Sequence, residues 1–359
     1  MKKIGSAFGW WAIALSLVLI FSGCQPRSGG GVGATFSVRE LGEGRKEIID
    51  GVGRRFLLVP AGKAALPGYE SNQIITIPVR RVGAGVSYDI GAMRYLGVLS
   101  ESLVGVTRKE DKWGSLDVKA GMKSGRIAYL GEANAIDYEK LRTVAPDVML
   151  IWDKRLIPKL NELKIPGVIT TTPMATTIDE RLQYFHFLAA LFGREELAKK
   201  YAEGIRAKLA EVKKRAMSAS RKPKVIWGDI YQKRVLVEPM NAYVAQLVEA
   251  AGGDYLFDDV RGVSCLEITL ERFFSSGLEA EIFFTYRSPA MGIDSKQKLI
   301  TENPRLADIK PFKTGLVYCP LPHFYESLER LDEIIVEIAA ILHPQLYQGY
   351  ELKFFQKLD

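Results

Sequence analysis

Chemistry in this sequence gathers at the ends of apolar runs. "VMLIW" closes on Trp152 and is followed by Asp153, Lys154 and Arg155; "VIWGDIYQKR" carries Trp227, Asp229 and Tyr231; "FFTYRS" carries Tyr286 and Arg287; "GAGVSYDIG" sets Ser87, Tyr88 and Asp89 behind two close glycines. Tyr243, in the helical stretch "NAYVAQLVEAAGG", and Tyr325, in the loop "LPHFYES", join them. Aromatic faces supply stacking area and arginine supplies a rigid fork of N–H donors, so the set suits a large, partly apolar, anionic ligand. Each residue alone also fits ordinary core or surface packing, and Ser87, Tyr88 and Asp89 fit a helix start.

Enzyme signatures are missing from the sequence: it has no G-x-S-x-G, no H-E-x-x-H, no Walker A run and no complete G-x-G-x-x-G. With three histidines, His186, His323 and His343, capture of a bare zinc ion is not expected, because such a site needs several converging imidazoles or carboxylates. His186 falls within a helical stretch, His343 at a helix end, and His323 in a loop from which it could reach a ligand. No resident cofactor or metal is expected. The net charge of +7 comes from bases interleaved with acids, which reads as solvated surface and not as a nucleic-acid face.

The elements that would position these residues alternate. Apolar runs such as "VMLIW", "GVITT", "VIWGDI", "EIFFTY" and "GLVYC" are separated by helical stretches, which predicts α/β lobes with mostly parallel sheets covered by helices on both faces. In such sheets ligands bind beyond the C-terminal strand ends, where the candidate residues lie. A chain of 359 residues exceeds the usual span of one core, so two lobes are expected. Residues 35–176 form the first, including a β-rich extension over 35–79, and residues 221–359 the second. Between them, residues 177–220 carry apolar positions at steps of three and four, which predicts a long rigid connecting helix that Gly193 could kink or split. One device occurs on both sides of it: "YEKLRTVAPDVMLIW" and "LERFFSSGLEAEIFFTY" each set a Glu at the head of a short helix before an apolar run.

The first two dozen residues differ from the rest. "MKK" precedes an uncharged apolar run over residues 4–21, and "LIFSGCQP" resembles a bacterial lipobox. That reading makes residues 1–23 a signal peptide, Cys24 the lipidated N-terminus and residues 24–34 a flexible tether. An uncleaved anchor or an ordinary secreted protein are the alternatives. Cys265 and Cys319 remain, either paired or as free thiols.

From residue 78 onward the ordered series "PVRRVGAG…LGVLSESLVGVT", "IDYEKLRTVAPDVMLIW…LKIPGVITT", "KPKVIWGD…NAYVAQLVEAAGGDYL" and "NPRLADIKPFKTGLVY…ILHPQLY" resembles class III periplasmic binding proteins. These are the substrate-binding lipoproteins of ABC importers for ferric siderophores, haem or cobalamin. The resemblance implies a non-enzymatic, monomeric, extracytoplasmic protein, lipid-anchored to the membrane. It would hold a metal chelate or corrinoid between its lobes with modest hinge motion and pass it to a permease driven by a separate ATPase. It also implies that Glu139 and Glu271 dock onto permease arginines, although each would favour its helix N-terminus in any case. An oxyanion or other small-molecule binder on the same scaffold is the nearest alternative, and an extracytoplasmic enzyme or sensor subunit a more distant one.

Overall fold

The computed structural model describes residues 36–171, 177–262 and 265–359. The expected signal peptide, the expected lipidation site Cys24 and the expected tether lie outside these residues, and no helix among the described residues is long and apolar enough to cross a membrane.

The N-terminal lobe is built on five parallel strands in the spatial order Gly167–Ile169, Val148–Ile151, Val82–Ala84, Leu103–Val106 and Ala128–Tyr129. Val148, Met149, Leu150 and Ile151 are all buried, as a strand covered on both faces requires. In the C-terminal lobe, Lys224–Tyr231, Ile282–Phe284 and Val317–Pro320 form a parallel centre. Antiparallel strands flank it, Arg234–Val237 and Leu266–Ile268 on one side and Phe355–Lys357 on the other. The expected two α/β lobes are therefore present, the first with a wholly parallel sheet and the second with a mixed sheet, parallel at its centre and antiparallel at its flanks.

The β-rich extension is a sheet of four strands, Ser37–Gly42, Arg45–Ile49, Arg55–Pro60 and Ile74–Ile77. It covers the Gly167–Ile169 edge of the first lobe, which would otherwise present unpaired backbone groups. Gly51 donates its amide to Ile169 O at 2.9 Å, and buried Asp50 accepts from the Ile169 amide at 3.1 Å and from Arg54. A side chain at position 51 would collide with Thr171 O, so only glycine allows this approach. Phe36 wedges between the rings of Tyr184 and Phe187, with centroids 5.2 and 5.1 Å away.

One expectation is corrected. Residues 177–220 do not form one long helix but a hairpin of two, Ile178–Phe192 and Glu195–Ala216. Gly193 adopts φ 64°, a left-handed cap that ends the first helix, and Arg194 starts the return. The pairing is antiparallel: Phe185 stacks on Tyr201 at 4.1 Å, and Arg206 reaches Asp179 at 3.2 Å. Both helices still bridge the lobes. The first is bonded to the second lobe through Ile178 N to Gln246 Oε1 (2.8 Å) and to the first through Val79 N to Leu191 O (2.8 Å). The second, ~33 Å long at 1.5 Å per residue, begins with an ion pair from Glu195 to Lys46 and ends with Ala216 against Gly252. The strut is thus doubled, which stiffens it more than a single helix would.

Candidate functional site

The turn after Val82–Ala84 leads directly into the helix Ser87–Tyr95. Ser87 accepts a hydrogen bond from Arg108, and Tyr88 donates its hydroxyl to Thr170 O. Trp152, just beyond Val148–Ile151, is 46% exposed, a large ring left in solvent at a strand end. From the other lobe Tyr286 follows Ile282–Phe284, Tyr243 starts the helix Tyr243–Ala250, and Tyr325 donates its hydroxyl to Tyr286 O at 2.8 Å.

A residue missed in the sequence lies between these groups. Arg181, on the first connecting helix, lays its guanidinium 3.5 Å from the centroid of the Tyr243 ring. Among the described residues it forms no ion pair with a carboxylate, and its Nε is buried without a hydrogen-bond partner. Burial pushes the phenols of Tyr88 and Tyr243 up, and the Arg181 charge offsets part of that rise in both, so the guanidinium stands near a ring of each lobe. Burial likewise raises Tyr286, and desolvation of its phenol end raises Tyr325, a residue 43% exposed overall, with Tyr243 adding to the rise in Tyr325 and the Glu238 charge adding to both. All of these phenols are neutral near pH 7. Among the described residues, the arrangement is a cluster of tyrosines from both lobes around the Arg181 cation, with the buried Glu238 carboxylate acting on Tyr243, Tyr286 and Tyr325; a cation among aromatic rings can hold an anion with aromatic or apolar bulk. A readable signal did exist: Ile178, Arg181, Phe185 and Leu188 follow the helix's own three-and-four spacing, so an arginine occupies a stripe position.

Several sequence candidates do not belong to this cluster. Arg287 is 4% exposed and consumed by carboxylates: both its Nε and Nη2 bond Asp229 at 2.9 Å, and its Nη1 bonds Glu302 at 2.8 Å. Asp229 is buried and also accepts from Thr285, so neither member of the pair is available to a ligand. Tyr231 covers that pair from outside, its ring 5.0 Å from Arg287 Cζ, beside a surface depression shared with Leu270 and Glu302. Trp227 is a core residue stacked on Phe284 at 4.6 Å. Arg155 closes a local turn, held by Asp153 at 2.7 Å. His323 packs 5.8 Å from the Phe354 ring, and His343 is buried, where desolvation pushes its imidazole down and keeps it neutral. Cys265 and Cys319 are not joined in a disulfide, and Cys265 Sγ donates to Glu238 Oε1 at 3.7 Å. Among the described residues no cluster of three or more His, Cys, Asp or Glu side chains could hold a metal ion.

Asp89 is displaced too. It lies fully buried, accepting from Tyr184 and, at 3.3 Å, from Thr170 Oγ1, and among the described residues no cation is paired to it. Burial raises its carboxyl to about 7, against the bonds from Tyr184 and Thr170, which lower it. The folded state thus holds a proton that the unfolded state has released between pH ~4 and ~7, and stability falls as pH rises through that window. Asp89→Asn keeps an acceptor for Tyr184 and a donor toward Thr170 Oγ1 without the charge. The expected result is a melting temperature for the variant that gains on wild type from pH ~4 to about pH 7 and levels off above that. Parallel pH profiles would show that Asp89 is ionised at little cost.

The family model for periplasmic binding proteins matches residues 87–319, well over half of the chain. An uncharacterized lipoprotein of Methanocaldococcus jannaschii is 27% identical over 330 residues, 88% of this chain and 78% of that protein. Among solved structures, a periplasmic heme binding protein from Pseudomonas aeruginosa aligns with TM-score 0.60 and 15% identity over 78% of this chain and 98% of its own. The Ni(II)-bound CeuE of Helicobacter pylori aligns with TM-score 0.57 and 20% identity over 77% and 88%. S. aureus IsdE complexed with heme aligns with TM-score 0.56 and 16% identity over 74% and 99%. At these identities the solved structures speak for the fold alone, and the fold they share is this one. With two α/β lobes joined by a helical bridge, and with the family model covering most of both lobes, the chain belongs to the periplasmic binding protein family.

Proposed function

We propose that this protein captures an anionic iron complex, a ferric siderophore or haem, or a corrinoid, in the gap between its lobes and delivers it to the permease of an ABC importer. The observation that carries the reading is Arg181: a guanidinium without a carboxylate partner among the described residues, 3.5 Å over the Tyr243 ring, whose charge also acts on Tyr88. An anion entering the gap meets a charge already partly stripped of water, so less desolvation remains to be overcome on binding. Tyr88, Tyr286, Tyr325 and Trp152 supply the flanking aromatic area, with Ser87 and Tyr243 beside them. The lipoprotein names of two relatives and the heme-bound and metal-bound structures of the same fold support this reading.

In the same reading Cys24 carries the lipid that holds the protein on the extracytoplasmic face of the membrane. Glu139 and Glu271, one exposed acid on each lobe, meet the two permease subunits. The doubled strut keeps these acids at a constant separation, which suits a partner with two-fold symmetry.

The test is direct. Mature chain from residue 24 onward, without lipid, is purified and mixed with hemin, a ferric catecholate chelate, cyanocobalamin, and phosphate or sulfate, with absorption spectra and thermal shift as readouts. Stabilisation by one of the first three, with a matching spectral change, is expected. Stabilisation by the inorganic oxyanions alone would replace the proposal with the small-oxyanion reading, for which a single guanidinium would also serve.

A further inference from the structure

The second lobe reaches across to the first at a place the strut does not account for. After the strand Val317–Pro320 the chain makes two short turns, Phe324–Glu326 and Leu328–Arg330, that pack on the helix Ser87–Tyr95. Glu326 is 2% exposed and both its oxygens are spent on the opposite lobe. Oε1 accepts the Gly114 amide at 3.0 Å, Oε2 accepts the Ser115 amide at 2.7 Å, and Arg108 Nη1 stands 3.5 Å from Oε1. Three residues on, Glu329 Oε1 takes Arg94 Nη1 at 2.5 Å, while Arg94 Nη2 donates to Ser115 Oγ at 2.8 Å. The strut joins in, Tyr201 donating to Leu328 O at 2.5 Å.

The first lobe is shaped to receive this segment. A Cβ at Gly91 would overlap Glu329 and come within 2.7 Å of Glu326 O, and one at Gly114 would come within 2.9 Å of the His323 side chain. Two glycines at contact points, on separate elements, allow the backbones to approach this closely. The brace also adjoins the candidate gap on both sides. Arg108, beside Glu326, donates to Ser87, and Tyr325, immediately before Glu326 in the same turn, is tied to Tyr286 O.

We infer that Glu326 is a positioning residue for ligand binding: by gripping the Gly114 and Ser115 amides it fixes the width of the interlobe gap and holds Tyr325 at its rim. The gap is then preformed. This rests on the proposed reading that the gap is the binding site. A buried carboxylate that accepts two amides across a lobe boundary is well placed for the task, since removing one acceptor leaves a buried N–H unsatisfied.

The experiment compares wild type with Glu326→Gln, which keeps the shape but turns a donor toward one of the two amides, and with the shorter Glu326→Asp. Three readouts are used: hydrogen exchange at the Gly114 and Ser115 amides, the radius of gyration in solution scattering, and affinity for hemin, a ferric catecholate and cyanocobalamin. Expected for both variants are exchange at these two amides at least about a hundredfold faster, a larger radius of gyration, and affinity for whichever probe wild type binds reduced more than about tenfold, chiefly through faster release. Unchanged exchange or an unchanged radius of gyration would overturn the brace. Faster exchange with unchanged affinity would overturn the positioning role and leave Glu326 merely structural. Should wild type bind none of the probes, the ligand reading fails by itself, while exchange and scattering still decide whether Glu326 sets the gap.

Discussion

Reversing Glu139 and Glu271 together to arginine is expected to abolish ligand uptake by cells that depend on this protein, while the purified chain keeps its ligand affinity within about twofold, as for a change confined to a docking surface. Both acids are exposed and sit in the first turn of a helix, Glu139 in Tyr138–Val144 and Glu271 in Leu270–Glu279. A capping role does not account for them. Asp137 already caps the first helix by accepting the Lys140 amide at 3.0 Å, and Thr269 caps the second by accepting the Arg272 amide at 3.2 Å. Nor are they consumed by neighbouring cations: Lys140 turns to Asp137 and Arg272 to Asp259, and among the described residues neither Glu139 nor Glu271 forms an ion pair.

What remains for the bland reading is the helix dipole, worth ~0.3–1 kcal/mol at each site. Losing it would lower stability slightly and leave transport intact. Opposed like charges at a protein interface cost several kcal/mol, and ~1.4 kcal/mol is already tenfold in affinity, so two reversals remove docking altogether. Single reversals should fall between, because one lobe can still engage. Normal uptake by the double variant, or loss of ligand affinity along with uptake, would reject the docking assignment.

The lobes were legible in the sequence because a parallel sheet buried on both faces leaves short, continuous apolar runs, and "VMLI" and "IFF" fall within such strands. The break at Gly193 was legible only as a possibility. Whether a glycine inside a periodic helix kinks it or ends it depends on what the following residues pack against, and here Tyr201 folds back onto Phe185. The site was harder. Residues beyond a strand end can turn into the gap, into the core or along the surface, and nothing local separates these outcomes. Trp227 and Asp229 share one strand with Tyr231, yet Trp227 stacks in the core and Asp229 meets an arginine 58 residues away. Arg287 had the type expected of an anion-binding residue, but its charge is cancelled by partners from two other elements. Arg181 was overlooked for the opposite reason. Charged residues on an amphipathic helix are read as solvated, and its aromatic partner, Tyr243, lies on a helix of the second lobe.

That contrast between two arginines gives the other large effect. Arg181→Ala is expected to weaken binding of the anionic ligand by ~10- to 100-fold, since a hydrogen bond to a charged group contributes ~1.5–3 kcal/mol. Its effect on stability should stay below ~2 kcal/mol, because the variant loses a cation–π contact with Tyr243 and no buried ion pair. Arg287→Ala should do the reverse. Removing the cation leaves Asp229 buried with, among the described residues, only Thr285 as a side-chain donor, and breaking a buried pair from one side costs ~3–5 kcal/mol. Where that variant still folds, ligand affinity should be nearly that of wild type. Titration calorimetry and urea unfolding of both proteins separate the cases: charge recognition sits with whichever arginine lowers affinity without lowering stability. If that arginine proves to be Arg287, the charge-recognising centre lies at the Asp229 pair, and the tyrosine-walled gap around Arg181 is not where the ligand is held.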